Sequence, residues 1–336
     1  MTITAFVGQS LWRRAVTVCI LASVCVSLAI SLMIKVAAQA ESSPSRSLAQ
    51  SAAAIDWKIV FLGYPQVGVP RSGAAVITSA GLSNFRETTF APVSGELSPD
   101  GRFIAYDNCA TGDRGIYLAG SDGTRVRRLV SLIGDCVSVR WSLDGKRLSY
   151  SGPPDYSLHI LDLTSEIDTV IPNSEGADWH WWSPAGDEIV YGRTEVGKPA
   201  PRLLYITDLK GKNRPLTFAA DFMPCELDFN TLHTWAPAWS PKGDVIAFTQ
   251  CGSLFIVSPN GKNLRQMTTY QPRNRDKRLP ETFAYSPRWS PDGEWIVFIG
   301  EFGRSVLKRI SPNDNKVVVI GQLPHWGGPF SIAPLR

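Results

Sequence analysis

The sequence predicts an all-β fold, a six-bladed propeller of four-stranded antiparallel blades. Three observations carry this. The chain is rich in Gly (28), Pro (24) and Trp (11) across 336 residues. Short β-branched or aromatic runs such as KIVF, FIAY and VIAF are bounded by turn residues, as strands are. Above all, one unit recurs: LSPDGRFIAY from Leu97, WSLDGKRLSY from Trp141, WSPAGDEIVY from Trp182, WSPKGDVIAF from Trp239 and WSPDGEWIVF from Trp289. Their starts are 44, 41, 57 and 50 residues apart, the spacing of propeller blades.

Each unit reads as a sequence of local decisions. Apolar residues ending at the Trp form a first strand, and Ser-Pro-Asp-Gly turns the chain, with Pro presetting φ and Gly accepting a positive φ. The I-A-F or I-V-Y triplet forms the second strand. GIYLAG, SLHILDL, RLLYITDL, SLFIVSP and VLKRISP supply third strands, and RVRRLV, NRPLTF and NLRQMT supply fourth strands. At the start, WKIVFL (57–62), AAVITS (74–79) and FRETTF (85–90) read as strands two to four of a blade lacking its first strand. At the end, LPHWGGPFSI (323–332) reads as a first strand without a blade. The expectation is ring closure, with the C-terminal strand completing the N-terminal blade and leaving no exposed sheet edge.

Ahead of residues 55–336, two further segments are distinguished. Residues 1–40 hold Arg13 and Arg14, then an uncharged apolar run over 15–34, then Lys35 and Ala38-Gln39-Ala40. This reads as an export signal peptide or an uncleaved N-terminal membrane anchor, and the run length leaves both open. Residues 41–54 read as a small, polar linker. Those three basic residues carry most of the net charge of +4, so the body is nearly neutral and nucleic-acid binding is not expected. A periplasmic location follows, with membrane contact only through residues 15–34 if they are retained.

The W-S-P-D-G-x-x-I-A-F units resemble the WD40-like repeats of TolB-type periplasmic proteins, which also occur in the propellers of prolyl-oligopeptidase relatives. The resemblance implies the propeller over residues 55–336. It extends neither to the α/β domain of TolB, for which the linker has no room, nor to the peptidases' hydrolase domain, since no G-x-S-x-G occurs. The activity stays open, because propellers host many.

In such a blade the Ser-Pro-Asp-Gly turns share one face, so Asp100, Asp144 and Asp292 are expected to form turns and not to bind metal. The opposite face receives the long segments 219–237 and 269–287, with 65–72 and 193–201, and long loops on a rigid scaffold commonly carry function. The basic run Arg273, Arg275, Lys277 and Arg278 falls there and reads chiefly as a solvated loop. Candidate contacts on that face are Trp179, His180, Trp181, Phe222, Phe229, His233, Trp235, Tyr270, Phe283, Tyr285 and His325. In an exported, oxidising setting, Cys109 is expected to pair with Cys136 and Cys225 with Cys251. The leading expectation is a non-enzymatic module, without cofactor, that binds a protein, peptide or cell-envelope ligand. The alternative is a metal-dependent lyase or hydrolase acting on an envelope or extracellular glycan, with His180, His233 and His325 as ligands.

Overall fold

The computed structural model describes residues 57–63, 72–78, 81–82, 86–88, 94–108, 113–134, 137–193, 203–218, 221, 236–270, 284–300, 306–322 and 330–334. The N-terminal segment, the linker and most of both long loops lie outside them. No helix among the described residues is long and apolar enough to cross a membrane.

Every described strand pairs antiparallel. The N-terminal strands are β1 (Trp57–Gly63), β2 (Ser72–Thr78), β3 (Gly81–Leu82) and β4 (Arg86–Thr88). Five four-stranded sheets follow, each in simple up-and-down order. They are β5 (Ser94–Leu97), β6 (Phe103–Asn108), β7 (Gly115–Gly120) and β8 (Arg127–Ser131); β9 (Ser138–Trp141), β10 (Arg147–Gly152), β11 (Ser157–Asp162) and β12 (Asp168–Val170); β13 (Ala177–Trp182), β14 (Glu188–Arg193), β15 (Leu203–Asp208) and β16 (Asn213–Pro215); β17 (Ala238–Trp239), β18 (Ile246–Gln250), β19 (Ser253–Val257) and β20 (Arg265–Gln266); and β21 (Ala284–Trp289), β22 (Ile296–Gly300), β23 (Val306–Ile310) and β24 (Val318–Gln322). The last strand, β25 (Phe330–Pro334), pairs with β1, Phe61 facing Phe330 and Trp57 facing Pro334. This is an all-β propeller of four-stranded antiparallel blades. One detail departs from expectation: the strand foreseen over 85–90 appears as β4, and a further short strand, β3, precedes it at Gly81–Leu82, both pairing with β2.

The repeated turn explains itself atom by atom. In the first copy the Ser98 N–H donates to the Phe103 carbonyl (2.8 Å) and the Gly101 N–H to the Ser98 carbonyl (2.8 Å). The Ser98 hydroxyl donates to Asp100 Oδ1 (2.6 Å), which also accepts the Arg102 N–H (3.1 Å). Ser142 with Asp144 and Ser290 with Asp292 repeat this. Where Ala185 replaces the aspartate, Ser183 turns to Asp187 instead, at 2.8 Å. The turn glycines have φ between 69° and 81°, a region costly for any residue with a Cβ. Asp100, Asp144 and Asp292 thus have their carboxylates engaged by their own turns.

The cores lie between consecutive sheets. Trp141 packs with Ala105 and Ile116 of the preceding sheet, Trp182 with Leu158, Trp239 with Val190, Leu204 and Ile206, and Trp289 with Ala247, Leu254 and Ile256. The indoles also bond backward: Trp141 Nε1–H donates to the Glu96 carbonyl (3.1 Å) and Trp289 Nε1–H to the Ala238 carbonyl (2.9 Å). Each Trp therefore joins two sheets. At the seam, Phe330 and Ile59 cluster with Val297, Ile299, Leu307 and Ile320, and on the other side the Leu97 N–H donates to Ser331 Oγ (3.1 Å). A buried carboxylate adds one more tie between sheets: Asp107 Oδ2 accepts the Val137 N–H (2.8 Å), and burial pushes its carboxyl up to about 6.

Candidate functional site: the central channel

The first strand of each sheet is the innermost, and side chains alternate along it. The residue immediately before the tryptophan position is Glu96 on β5, Arg140 on β9, Trp181 on β13, Ala238 on β17 and Arg288 on β21, with Ser331 beside them on β25. These residues converge although they stand up to 235 positions apart in the chain. The Arg140 guanidinium lies 5.4 Å from the Trp181 ring centroid and 5.7 Å from that of Trp179. Arg288, two sheets beyond β13, lies 4.8 Å from the same Trp181 ring and 5.8 Å from Phe330.

This ring concentrates buried charge. Arg140, Arg288 and Glu96 are 1%, 3% and 9% exposed. Glu96 Oε2 accepts the Trp141 N–H at 2.7 Å. Loss of water raises the Glu96 carboxyl above the ordinary range, against the attraction of both guanidiniums. Burial, aided by the repulsion of Arg140, brings Arg288 down to about 9. Each guanidinium donates through Nη1 to a carbonyl of its own strand, Val139 and Pro287 respectively, both at 2.8 Å. The Nε of each is buried without a hydrogen-bond partner.

On the face of the short turns the channel opens into a cavity of about 260 Å³. Trp141, Trp182, Trp239 and Trp289 line it with the turn prolines Pro99, Pro184, Pro241 and Pro291, and it reaches the charged ring at Glu96 and Trp181. The face expected to be uniform scaffold therefore frames a described cavity. Glu96, Arg140 and Arg288 were not among the residues singled out from sequence. The signal that finds them is simple: align the residue before each repeat tryptophan position, in GEL, VRW, HWW, PAW and PRW.

The sequence candidates fare unequally. His180 is fully buried, so it is neither a surface contact nor a channel-mouth ligand. Its Nε2 lies 2.9 Å from Ser149 Oγ on the preceding sheet, and burial beside Arg140 takes it down to about 3. The reason is alternation along β13: His180 and Trp182 face the preceding sheet, and Trp181 between them faces the other way, toward Arg140 and Arg288. Trp179 and Trp181 stand on β13 against Arg140, not on a long loop. Tyr285 stands on β21, half-buried against the Phe330 cluster, and Tyr270 is half-buried, its N–H donating to Ser253 Oγ at 2.9 Å. Phe222, Phe229, His233, Trp235, Phe283 and His325 lie outside the described residues. So do Cys109, Cys136 and Cys225; Cys251 is disulfide-bonded, and the pairing stays a proposal. Among the described residues no three His, Cys, Asp or Glu side chains group as a metal site.

His180 has a measurable consequence. Its unfolded pKa is near 6.5 and its folded value is depressed, so stability is lost as pH falls below 6.5, while the unfolded chain takes the proton and the folded one does not. Urea unfolding at pH 7 and pH 5 is expected to show a loss of about 2 kcal/mol that is absent in His180→Gln. Asp107, raised in the folded state, acts in the opposite sense between about pH 4 and 6. The comparison with His180→Gln separates the two, and equal slopes in both proteins would contradict it.

No protein-family model matches the chain. Among solved structures, TolB from Acinetobacter baumannii superposes with a TM-score of 0.61 at 20% identity, covering 82% of this chain and 66% of that one. The fold is that of a TolB-like β-propeller. A protein assigned as TolB from Agrobacterium tumefaciens matches at TM-score 0.56 and 16% identity, over 81% of this chain and 90% of its own. In sequence, the TolB-like propeller is 25% identical over 228 residues to an uncharacterised protein of Agrobacterium fabrum, 64% of this chain and 73% of the relative. These likenesses concern the fold. The chain spans less than two thirds of the Acinetobacter protein.

Proposed function

We propose that this TolB-like propeller is an exported, non-enzymatic binding module for a protein, peptide or cell-envelope ligand. The observation that carries the reading is the cavity walled by tryptophan and proline, which reaches Glu96 and Trp181, with the Arg140 and Arg288 guanidiniums set against the Trp181 ring. Arg and Trp are the side chains most enriched where binding energy concentrates. Glu96 is engaged by the Trp141 N–H and by two cations, a supporting role and not that of a free base. The metal-dependent alternative on a glycan loses one of its three proposed ligands, because His180 bonds Ser149 between sheets.

Several finer points belong to the same proposal. The sheet formed by β25 and β1 to β4 is a sixth blade that closes the ring. Cys225 is the partner of Cys251, and Cys109 pairs with Cys136, each bridge restraining a loop on the face away from the short turns. That face contributes the protein or envelope contacts, and residues 1–40 direct the chain across the inner membrane as a signal or an anchor.

The test is retention of a partner from envelope extract by the full chain, with the partner identified and its binding reconstituted from purified components. Shortening the 219–237 loop is expected to weaken that reconstituted binding at least about tenfold. Turnover of an envelope glycan by the purified protein, lost on substitution of His233 or His325, would overturn the reading.

A further inference from the structure

The charges in the channel do not balance. Among the described residues, two guanidiniums and one carboxylate are buried in one ring, which leaves one positive charge in a place where an uncompensated ion is costly. The donors are not all used either: Nε of Arg140 and Nε of Arg288 are both buried and unpartnered, although buried polar groups are nearly always bonded. Both guanidiniums meet at Trp181, and both act on Glu96. Those two residues are also where the cavity on the turn face reaches the ring. Among the described residues Glu96 is the only charged side chain in the wall of that cavity, and Arg140 and Arg288 adjoin it through Trp181.

We propose that the channel binds a monovalent carboxylate carried on an apolar or aromatic group, the carboxylate taking the charge of Arg140 and Arg288 and the apolar part filling the tryptophan and proline collar. The proposal deepens the binding-module reading and rests on it, naming the chemistry of the ligand. One negative charge brings the ring to neutrality. A dianion overshoots it, and a cation meets a site already positive, with the Trp181 ring already occupied by guanidiniums. Guanidinium is the group best suited to a carboxylate, which accepts two parallel N–H bonds. Size agrees as well: a cavity of about 150 Å³ holds a benzene ring, so about 260 Å³ admits a ring with a short carboxylate arm.

The experiment uses the full chain and three probes of one shape: phenylacetate, its neutral amide, and phenylphosphonate at a pH where it is dianionic. Binding is read by calorimetry and by tryptophan fluorescence, since Trp181 stands at the site. Saturable binding of phenylacetate, at least about tenfold tighter than the amide, is expected, with phenylphosphonate weaker. Arg288→Met is expected to cost at least about tenfold in affinity for phenylacetate while keeping the melting temperature, because Glu96 and Arg140 remain as a neutral pair. Equal binding of acid and amide, or no binding of either, would overturn the proposal on the unmodified protein alone. If phenylacetate fails while the envelope partner is still bound, the carboxylate site falls and the binding-module reading stands. If phenylacetate binds and no partner is found, the site stands and that reading falls.

Discussion

Phe330→Ala is expected to destabilise the propeller by about 3 to 5 kcal/mol, read as a lower urea midpoint with an unchanged slope. Phe330 is fully buried, and its ring fills the space between β1 and the β21–β24 sheet with Ile59, Val297, Ile299, Leu307 and Ile320. Truncation removes that apolar volume from a core with elements on both sides, which limits collapse into the gap. The position matters beyond its volume. β25 comes last in the chain and pairs with β1, the first described strand, so loosening it releases contacts of the greatest sequence separation and exposes the edge of β1. A smaller truncation at an exposed position, Val319→Ala at 52% exposure, is expected to cost less than about 0.5 kcal/mol. Similar losses from both substitutions would mean that β25 is not part of the closing core.

Glu96→Leu is expected to cost about 3 to 5 kcal/mol, because it leaves the buried guanidiniums of Arg140 and Arg288 without a counter-charge. It also strips the acceptor from the Trp141 N–H, leaving a buried donor unpaired. Adding Arg288→Met to Glu96→Leu is expected to recover much of the loss, since a ring with one cation fewer has less charge to leave uncompensated. Arg288→Met alone is expected to be mild, as Glu96 and Arg140 then match. A thermodynamic cycle over the two residues measures their coupling. If the double variant is as unstable as the sum of the two single ones, the channel charges do not act as a set.

The fold was legible because each step of it is local. Ser98 with Asp100 and Gly101 makes a turn from four adjacent residues, and the same chemistry recurs at Ser142 and Ser290, while Ser240, with Lys242 in the aspartate position, keeps the serine–glycine backbone turn, so spacing alone predicts the blades. The Ala185 copy shows how tolerant the pattern is, because Asp187 supplies the missing oxygen from a different position. The extra strand β3 was not legible: Gly81–Leu82 pairs with β2 ahead of FRETTF, and two residues are too few to show a strand pattern. The site was far less legible than the scaffold. His180 and Trp181 are neighbours in sequence and both aromatic, yet alternation along β13 turns one against the preceding sheet and the other toward Arg140 and Arg288. Glu96, Arg140 and Arg288 each look like an ordinary charged residue on a short strand.

By itself the sequence determined the repeat, the turn chemistry, the strand order and the pairing expected of its two ends, because these follow from neighbours within a few residues and from a period. Only the tertiary structure decided which residues meet on the axis. Arg140 and Arg288 are separated by 148 positions, and what sets both against Trp181 and Glu96 is the packing of the inner strands of different sheets. Their chemistry arises from sharing a space without water, a property of the closed barrel of inner strands and of no single strand.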